Sequence, residues 1–486
     1  MPEQSTPEHV DVLIVGAGLS GIGAACQLKA GHPGRTVAIL EAREASGGTW
    51  DLFRYPGIRS DSDMFTFGYK WRPWPSDTAL ADGSLILDYL RTVAEEHGVD
   101  KLVRYRYKVT AAAWDSQQAR WTVTIDHDGA EITMTADFLW GCTGYYDYET
   151  GHQPVFPGRE AFEQAGGQVV HPQFWPEDLD YAGKDVVVIG SGATAVTLVP
   201  SMAPTAAKVT MLQRTPTYIL PQPAKDPLAV ALRRLPTKLR YPIVRSANIA
   251  KLVANYQVAQ RVPAVSKKFV RRFTERQLPE HLDYDTHFQP PYNVWDQRLC
   301  VVPNSDLFRA LRSGKADVVT DTIETFTETG IRLASGRELA ADVIVSATGL
   351  KLKLFGGIQV SVDGEPFVPS ETMTYKGLMV SGIPNFAFTI GYTNASWTLK
   401  ADLVGEYVVR LLDHMDKTGV RQVVPVRDPE VEERPFMDLA SGYIQRALDG
   451  LPRQGDRAPW ALKQNYYVDV RTIRRGELED GVLQFT

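Results

Sequence analysis

The sequence predicts an α/β protein with two similar domains, the second inserted into the first. Two glycine-rich turns carry this prediction: residues 16–21 (Gly-Ala-Gly-Leu-Ser-Gly) and residues 190–195 (Gly-Ser-Gly-Ala-Thr-Ala) each follow a short apolar run. They are called the first turn and the second turn below. A third observation is a repeated strand end, Cys-Thr-Gly at 142–144 and Ala-Thr-Gly at 347–349, which brackets the second turn. The span between these two copies is therefore expected to be an inserted domain.

Both turns have the residue pattern of a Rossmann-like, dinucleotide-binding domain. In that pattern the first glycine permits the tight turn, the second lets the backbone approach a pyrophosphate, and a small third residue lets helix pack on strand. The pyrophosphate then lies against free N–H groups at a helix N-terminus. Two such turns predict two dinucleotides and electron transfer between them. The residues expected to bind them are Gly16, Gly18, Ser20 and Gly21 in the first turn and Gly190, Ser191, Gly192, Ala193 and Thr194 in the second.

The residues downstream of the turns predict that the two dinucleotides differ. After the first turn, the next strand ends at Glu41, at the spacing of about 20 residues where an acid can bind a free ribose 2′-hydroxyl. After the second turn, the matching strand ends at Gln213, Arg214 and Thr215, without a carboxylate. A carboxylate would repel a 2′-phosphate, whereas an arginine and a hydroxyl attract one. We therefore predict FAD at the first turn, with Glu41 as a contact, and NADP at the second, with Arg214 and Thr215 as contacts.

The spacing of these features also predicts the domain limits. We expect FAD-binding residues over 1–150 and an NADP-binding domain over 151–345. Within the first of these, alternating runs at 121–125 and 131–135 around Asp128-Gly129 predict a β-hairpin.

A basic helical insertion is predicted inside the second domain, at about 223–290, interrupted by Pro236, Pro242 and Pro263. We favour a solvated helical subdomain that covers the NADP domain. The alternative is a weak peripheral contact with anionic lipid, since basic amphipathic helices bind such surfaces. The basic residues of the insertion are Lys225, Arg233, Arg234, Lys238, Arg240, Arg245, Lys251, Arg261, Lys267, Lys268, Arg271, Arg272 and Arg276.

Composition excludes several classes of protein. The chain has 486 residues and a formal net charge of −6, which disfavours non-specific binding of nucleic acid. The N-terminus has no apolar signal region and no stretch is long enough to span a membrane, so we expect a cytoplasmic protein. The cysteines, Cys26, Cys142 and Cys300, form neither a Cys-x-x-Cys pair nor a metal-ligand spacing. This pattern predicts buried inert thiols and no metal site, and it argues against a disulfide reductase, another class that carries FAD and NADP in one chain.

Residues 47–61 (Gly-Gly-Thr-Trp-Asp-Leu-Phe-Arg-Tyr-Pro-Gly-Ile-Arg-Ser-Asp) combine glycines, aromatic rings and charges, and are called the Trp loop below. Glycines beside a tryptophan let the backbone approach a flat ring, and two charged side chains follow. We expect Gly48, Trp50, Arg59 and Asp61 to contact the flavin.

The Trp loop resembles the long motif of the Baeyer–Villiger flavin monooxygenases: Gly-Gly-x-Trp, four residues, aromatic-Pro-Gly, three residues, Asp. The second fingerprint of that family is matched by Gly167, His171, Trp175 and Pro176, whereas its aromatic position two residues before the glycine is Ala165. This departure indicates a divergent branch. The sequence is most similar to the ethionamide-activating monooxygenases, over stretches that include 50–63, 295–300 and 391–400.

The resemblance implies a reaction and a catalytic pair. In the family, NADPH reduces FAD, O₂ gives a C4a-peroxyflavin, and attack on a ketone yields an ester or lactone. Arg298 is implied as the cation that stabilises the anionic peroxide, with Asp61 holding Arg298, and His171 is implied to order an interdomain linker. Many members carry a lysine before the arginine where this chain has Gln297, so the NADP preference would depend more on Arg214 and Thr215.

Two further expectations complete the sequence interpretation. Val109 is assigned to the FAD site, and the resemblance implies that residues 346–486 return to the FAD domain and form the C-terminal segment. Three activities stay open besides ketone oxidation: oxygenation of sulfur or nitrogen, including sulfides and thioamides; a non-oxygenating NADPH–flavin reductase; and an NADPH-sensing binding protein.

Overall fold

The first sheet surrounds the strand that leads into the first turn. The computed structural model describes residues 7–297, 299–437 and 441–486. Strand Glu8–Val15 pairs in parallel with Val37–Glu41 on one side and with Ala130–Gly141 on the other. Its second half is continuously apolar and buried, as expected for a central parallel strand covered on both faces. Within the described residues the sheet has nine strands. The remaining members are Val103–Tyr105, Tyr107–Asp115, Arg120–His127, Gln359–Val362, Glu365–Pro366 and Phe386–Phe388.

The predicted hairpin forms part of this sheet. Strands Arg120–His127 and Ala130–Gly141 pair antiparallel, and their side chains alternate between buried and exposed along the first strand. Asp128 and Gly129 connect them with positive φ angles of 53° and 86°, the backbone conformation that a two-residue hairpin turn requires. The hairpin prediction is confirmed.

A second sheet, in which every strand is parallel, lies between segments of the first sheet along the chain. Strands Gln359–Val362 and Phe386–Phe388, which follow the second sheet in sequence, pair with strands of the first sheet. This return confirms the predicted fold class of two Rossmann-like domains with one inserted in the other; the limits at 150 and 345 stay predictions. In spatial order the second sheet is Ala316–Thr320, Lys208–Gln213, Asp185–Ile189, Val343–Ser346 and Gln168–Val170.

Helices pack on both sheets, and the remaining strands form separate small sheets of two or three strands. None of the helices in the described part of the chain is long and apolar enough to cross a membrane. The helices outside the insertion are Leu19–Gly31, Thr49–Leu52, Met64–Phe67, Gly83–Glu96, Arg159–Gln164, Ala193–Met202, Asp306–Arg312, Trp397–Thr418, Gly442–Gln445 and Tyr466–Asp469. The smaller strands are Tyr146–Gly151, Ile219–Gln222, Cys300–Pro303, Ile323–Thr327, Gly330–Leu333, Glu338–Ala340, Leu350–Leu352, Thr374–Tyr375, Met379–Val380, Val423–Pro425, Glu433–Pro435, Arg453–Gly455 and Leu483–Phe485.

The basic insertion is helical, but two details of its prediction are wrong. Its helices are Pro227–Ala231, Thr237–Arg261, Pro263–Glu275 and Tyr284–His287. Pro236 and Pro263 lie at helix starts, whereas helix Thr237–Arg261 continues through Pro242 instead of being interrupted there.

The second error concerns where the insertion packs. Helix Thr237–Arg261 does not only cover the NADP side, because its buried Arg245 donates to the carbonyls of Phe65 (2.8 Å) and Gly68 (2.7 Å) and pairs with Asp402 (3.1 Å) on the FAD side. A guanidinium that satisfies several backbone carbonyls and a carboxylate is a structural clamp.

All three cysteines are free and buried, as expected. Burial raises the pKa of the Cys26 and Cys142 thiols to about 12, so both are uncharged thiols at neutral pH.

Candidate active site

The first turn accepts only glycine at two of its positions. Gly16 has a φ angle of +104°, and a Cβ there would lie 2.6 Å from the carbonyl oxygen of Cys142. A Cβ at Gly21 would lie 1.8 Å from the carbonyl oxygen of Gly16. The strand end at 142–144 therefore meets the first turn directly.

The Trp loop packs on the first turn. The N–H of Gly47 donates to the carbonyl of Ala17 (3.0 Å), and a Cβ at Gly48 would lie 3.1 Å from the Cα of Gly18. Ser20 accepts a hydrogen bond from the indole Nε1 of Trp397 (2.8 Å), which belongs to a segment that sequence reasoning left without a role. The first site is thus enclosed by two segments distant in sequence.

The sequence also assigns Trp50 and Val109 to the first site, and the structure gives the surroundings of both residues. The Trp50 ring stands edge-on to Phe67, with 5.6 Å between ring centroids. Val109 is buried on strand Tyr107–Asp115 of the first sheet. Their contacts with flavin stay predictions.

The carboxylate of Glu41 is fixed by hydrogen bonds from two backbone N–H groups, one of them in the first turn. Its Oε2 accepts from the N–H of Ala17 (2.8 Å) and its Oε1 from the N–H of Arg43 (2.9 Å). Burial raises the pKa of this carboxyl, and these two hydrogen bonds oppose the increase. Each carboxylate oxygen has a further lone pair, so Glu41 retains the capacity to accept from a ribose hydroxyl.

Asp51 is a site residue that the sequence interpretation missed. It is 5% exposed and pairs with Arg43 (2.8 Å) and Arg91 (2.7 Å). These ion pairs anchor the helix that begins in the Trp loop. The position of this acid directly after Gly-Gly-Thr-Trp could have indicated a role in the site. Its ion-pair partners could not be identified, because they are distant in sequence.

The second turn resembles the first in backbone but is more open. Gly190 has a φ angle of +136°, and a Cβ there would lie 2.4 Å from the carbonyl oxygen of Ala347. A Cβ at Gly192 would meet nothing within 4 Å. Ser191 donates through its hydroxyl to the carbonyl of Thr215 (2.8 Å), which brings the predicted 2′-phosphate contacts beside the turn. The space above Gly192 fits an incoming pyrophosphate.

Arg214 and Gln213 have opposite environments at the end of strand Lys208–Gln213. Gln213 is buried and donates to the carbonyl of His287 (2.7 Å) and to Thr320 (2.9 Å). Arg214 is exposed and makes no ion pair within the described residues. An exposed cation at this point is available to a phosphate.

The Trp loop also reaches the second turn, so it joins the two sites. Gly57 has a φ angle of +75°, and a Cβ there would lie 1.9 Å from the Oγ of Ser201 on helix Ala193–Met202. Tyr55 is buried among residues of the second sheet. Burial raises the pKa of Tyr55 to about 12, while a hydrogen bond with Thr194 of the second turn opposes the increase. One loop therefore contacts both glycine turns.

Arg59 and Asp61 lie at this junction. Arg59 pairs with Asp306 (2.5 Å) at the start of helix Asp306–Arg312, and its Nη2 is buried without a hydrogen-bond partner among the described residues. An unpartnered guanidinium N–H is costly to bury, so it fits a site that a phosphate or a ring carbonyl completes. The negative charge of Asp61 contributes to the raised pKa of Tyr55, which places the two side chains near each other. Arg298 lies outside the described residues, and its pairing with Asp61 stays a prediction.

A cavity of about 210 Å³ is lined by residues of the basic insertion and of the C-terminal part of the chain. Its lining includes Tyr256, Trp295, Thr393 and Asn394, and Trp295 is three residues before Arg298. Asn394 donates to the carbonyl of Gln464 (2.9 Å), and its buried Oδ1 has no partner in the described structure. The lining also includes the polar side chains of Arg434, Gln454, Lys463 and Gln464, so the cavity combines two aromatic rings with a mainly polar wall. Such a lining fits a small molecule that carries a polar group.

Lys400 and His171 have structural roles in this arrangement. Lys400 is buried and pairs with Asp469 (2.8 Å), which also accepts from the hydroxyl of Tyr392 (2.7 Å). These contacts fix the segment that carries Asn394. His171 is buried, accepts from the N–H of Gln173 (3.2 Å) and packs on Gly151. Burial lowers its pKa, so the ring is neutral at neutral pH, in keeping with the predicted role in ordering the linker.

Comparison with known proteins identifies the family. The family described as Flavin-binding monooxygenase-like matches residues 63–363, and an NAD(P)-binding Rossmann-like domain matches residues 14–74. The FAD-containing monooxygenase EthA of Mycobacterium tuberculosis is 55% identical over 98% of both chains. The probable FAD-binding monooxygenase AlmA of Acinetobacter baylyi is 50% identical over 98% of this chain and 96% of its own.

Solved structures show the same fold at lower identity. An oxidised steroid monooxygenase bound to NADP superposes with a TM-score of 0.76 at 22% identity, covering 98% of this chain and 99% of its own. OTEMO in complex with FAD and NADP superposes with a TM-score of 0.71 at 23% identity, covering 87% and 88%. With two glycine turns, one loop across both and full-length relatives of this kind, the chain belongs to the flavin-binding monooxygenase-like family, in the branch that contains EthA.

Proposed function

We propose that the chain is a monooxygenase that binds FAD at the first turn and NADPH at the second and converts ketones to esters or lactones. The balanced reaction is ketone, O₂, NADPH and H⁺ to ester, NADP⁺ and H₂O. FAD, when bound, accepts a hydride from NADPH and passes the electrons to O₂. The observation that carries the proposal is the Trp loop, because Gly48 lies on the first turn and Gly57 on the helix after the second.

Each site residue has a defined task in this proposal. The free N–H groups of both turns hold pyrophosphate oxygens, Glu41 accepts from the FAD ribose, and Arg214 with Thr215 binds the 2′-phosphate. Arg59 donates its unpartnered Nη2 to a cofactor oxygen at the junction.

Arg298 provides the fixed positive charge beside the reacting oxygen. A guanidinium stays protonated when partly buried, lowers the proton affinity of a neighbouring oxygen and stabilises negative charge that develops in the transition state. Asp61 orients Arg298 through a salt bridge. In this proposal the cavity lined by Tyr256 and Trp295 holds the ketone.

An isotope experiment tests the reaction. The purified protein reconstituted with FAD is incubated with NADPH, ¹⁸O₂ and separate linear, cyclic and aryl ketones and aryl sulfides, and the products are identified by mass spectrometry. We expect esters or lactones that carry one ¹⁸O atom. Sulfoxides alone would replace the proposal with sulfur oxygenation, and NADPH oxidation that yields only hydrogen peroxide would identify a reductase.

The role of Arg298 is tested separately. Arg298→Ala should keep anaerobic flavin reduction by NADPH but lose ester formation, because only the later step needs the cation. Arg332→Ala serves as a matched control, since Arg332 is partly exposed and pairs with Glu338 on the surface. Ester formation by Arg298→Ala at the wild-type rate would refute the assignment.

A further inference from the structure

Helix Pro263–Glu275 exposes an apolar stripe to solvent. Val265, Phe269 and Phe273 follow one another at four-residue spacing and are 59%, 53% and 40% exposed. The opposite side of the helix is packed, with Val270 at 3% and Thr274 at 1% exposure. Side chains at four-residue spacing share one helix face, so the two phenylalanines and the valine form a continuous patch. Large apolar patches of this kind mark interaction sites.

The patch continues through the turn that precedes this helix. Val258 and Val262 are 45% and 46% exposed at the end of helix Thr237–Arg261. Exposed basic residues accompany the apolar ones on the outward side of both segments. We call this surface the apolar–basic face; it consists of Val258, Arg261, Val262, Val265, Lys268, Phe269, Arg272, Phe273 and Arg276.

The structure separates the basic residues that are neutralised from those that are free. Arg240 pairs with Asp77 and Arg245 with Asp402, so neither contributes positive charge to the surface. Arg271 is neutralised by ion pairs on its own side of the helix. Within the described residues, the basic members of the apolar–basic face make no ion pair, and the sequence has no Asp or Glu between Asp226 and Glu275. The apolar–basic face is therefore locally positive, although the whole chain has a formal net charge of −6.

One of these two helices, Thr237–Arg261, also adjoins the cavity. The ring of Tyr256 stands edge-on to Trp295 at 6.0 Å, and both line the cavity. Ala259 and Val270 share one buried cluster with Val294. Helix Thr237–Arg261, which carries part of the apolar–basic face, thus also forms part of the cavity wall.

We propose that the apolar–basic face docks the protein on the surface of a lipid bilayer that contains anionic lipid. The phenylalanines and valines insert among the acyl chains near the headgroups, and the free lysine and arginines bind headgroup phosphates, as in interfacial helices. Anionic lipid is favoured over a second copy of this chain because two copies would bring like charges together. Docking would concentrate apolar substrate next to the cavity wall; this consequence alone rests on the proposed function.

Vesicle flotation of the full-length holoprotein tests docking without any activity readout. We expect the protein to float with vesicles of phosphatidylcholine plus phosphatidylglycerol, to remain at the bottom with phosphatidylcholine alone, and to be released by high salt. Equal recovery with the two vesicle types would overturn the proposal. Concentration-dependent dimerisation that the face variants abolish would also overturn it, in favour of a second copy as the occupant.

Two variants with matched controls locate the contact. Phe269→Ser with Phe273→Ser should abolish flotation. Lys268→Gln with Arg272→Gln should weaken partitioning by about 30-fold, which corresponds to about fivefold per charge. Leu85→Ser and Lys101→Gln remove an exposed apolar and an exposed basic residue elsewhere and should leave flotation unchanged. Flavin absorbance and melting temperature confirm folding, and retained flotation by the folded phenylalanine variant would refute the assigned face.

Discussion

The first and second turns have the same backbone design but different surroundings. Both begin with a glycine at positive φ whose Cβ would strike the end of a neighbouring strand, at Cys142 in one case and Ala347 in the other. The first turn is then covered, because the Trp loop lies on Gly18 and Trp397 bonds Ser20. The second turn is contacted by Tyr55 of the Trp loop at Thr194, but it is open at Gly192, where a Cβ would meet nothing within 4 Å.

This difference explains how one fold element can serve two purposes. A covered site with buried hydrogen bonds retains its ligand, whereas an open site with an exposed cation allows exchange. In a monooxygenase cycle the flavin stays on the protein while the nicotinamide dinucleotide is exchanged after each turnover. The comparison therefore predicts a resident FAD and an exchanging NADP.

The largest effect is expected from adding one methyl group to the first turn. Gly16→Ala should give a protein that does not fold or retain FAD, because the Cβ would lie 2.6 Å from a backbone oxygen at a φ of +104°. Gly192→Ala, at an ordinary φ of −77°, should fold with normal FAD content and raise the KM for NADPH. Soluble yield, flavin absorbance and steady-state kinetics measure both. Normal FAD content in Gly16→Ala would break the comparison.

The next effect concerns the preference of the second site for NADPH over NADH, which we assign to the positive charge of Arg214. Arg214→Ala should raise the KM for NADPH by about 10- to 150-fold relative to NADH, since a charge-assisted hydrogen bond contributes about 1.5–3 kcal/mol. Arg214→Lys should recover part of the preference. Glu41→Gln, at the first turn, should leave the NADPH-to-NADH ratio unchanged. Equal changes in both KM values for Arg214→Ala would contradict the assignment of the second site.

A smaller, pH-dependent effect probes the clamp between the insertion and the FAD side. Burial raises the pKa of Asp402 from 3.8 to about 6, and the charge of Arg245 opposes the increase. Because the pKa of Asp402 is higher in the folded state than in the unfolded state, its protonated form favours folding. This contribution to the free energy of unfolding is complete below the unfolded-state pKa of about 4 and is lost as the pH rises to about 6. Asp402→Asn lacks this titration. The free energy of unfolding of Asp402→Asn, minus that of the wild type, should therefore increase between about pH 4 and about pH 6. Urea titrations at several pH values measure this difference. A difference that stays constant with pH would refute the raised pKa of Asp402.

The sequence was sufficient to predict those parts of the fold that depend only on residues close together in the chain. The two turns, the hairpin and the strand ends at 142–144 and 347–349 were predictable because a glycine pattern or an alternation specifies each one. The contacts of Asp51 and Arg245 could not be predicted, because their partners are distant in the chain. The identity of an acidic or basic residue also does not reveal whether its side chain is buried. The exposed stripe at Val265, Phe269 and Phe273 was likewise hidden, since helical periodicity does not say which face is covered.

The retained nucleotide content of the purified protein tests the central claim that the two sites are unlike. The protein is saturated with FAD and NADP⁺, desalted, denatured with acid, and its nucleotides are quantified by chromatography. The account predicts one FAD per chain and little NADP⁺, with Gly16→Ala losing the FAD and Arg214→Ala keeping it. Loss of both nucleotides on desalting, or retention of NADP⁺ in place of FAD, would contradict it.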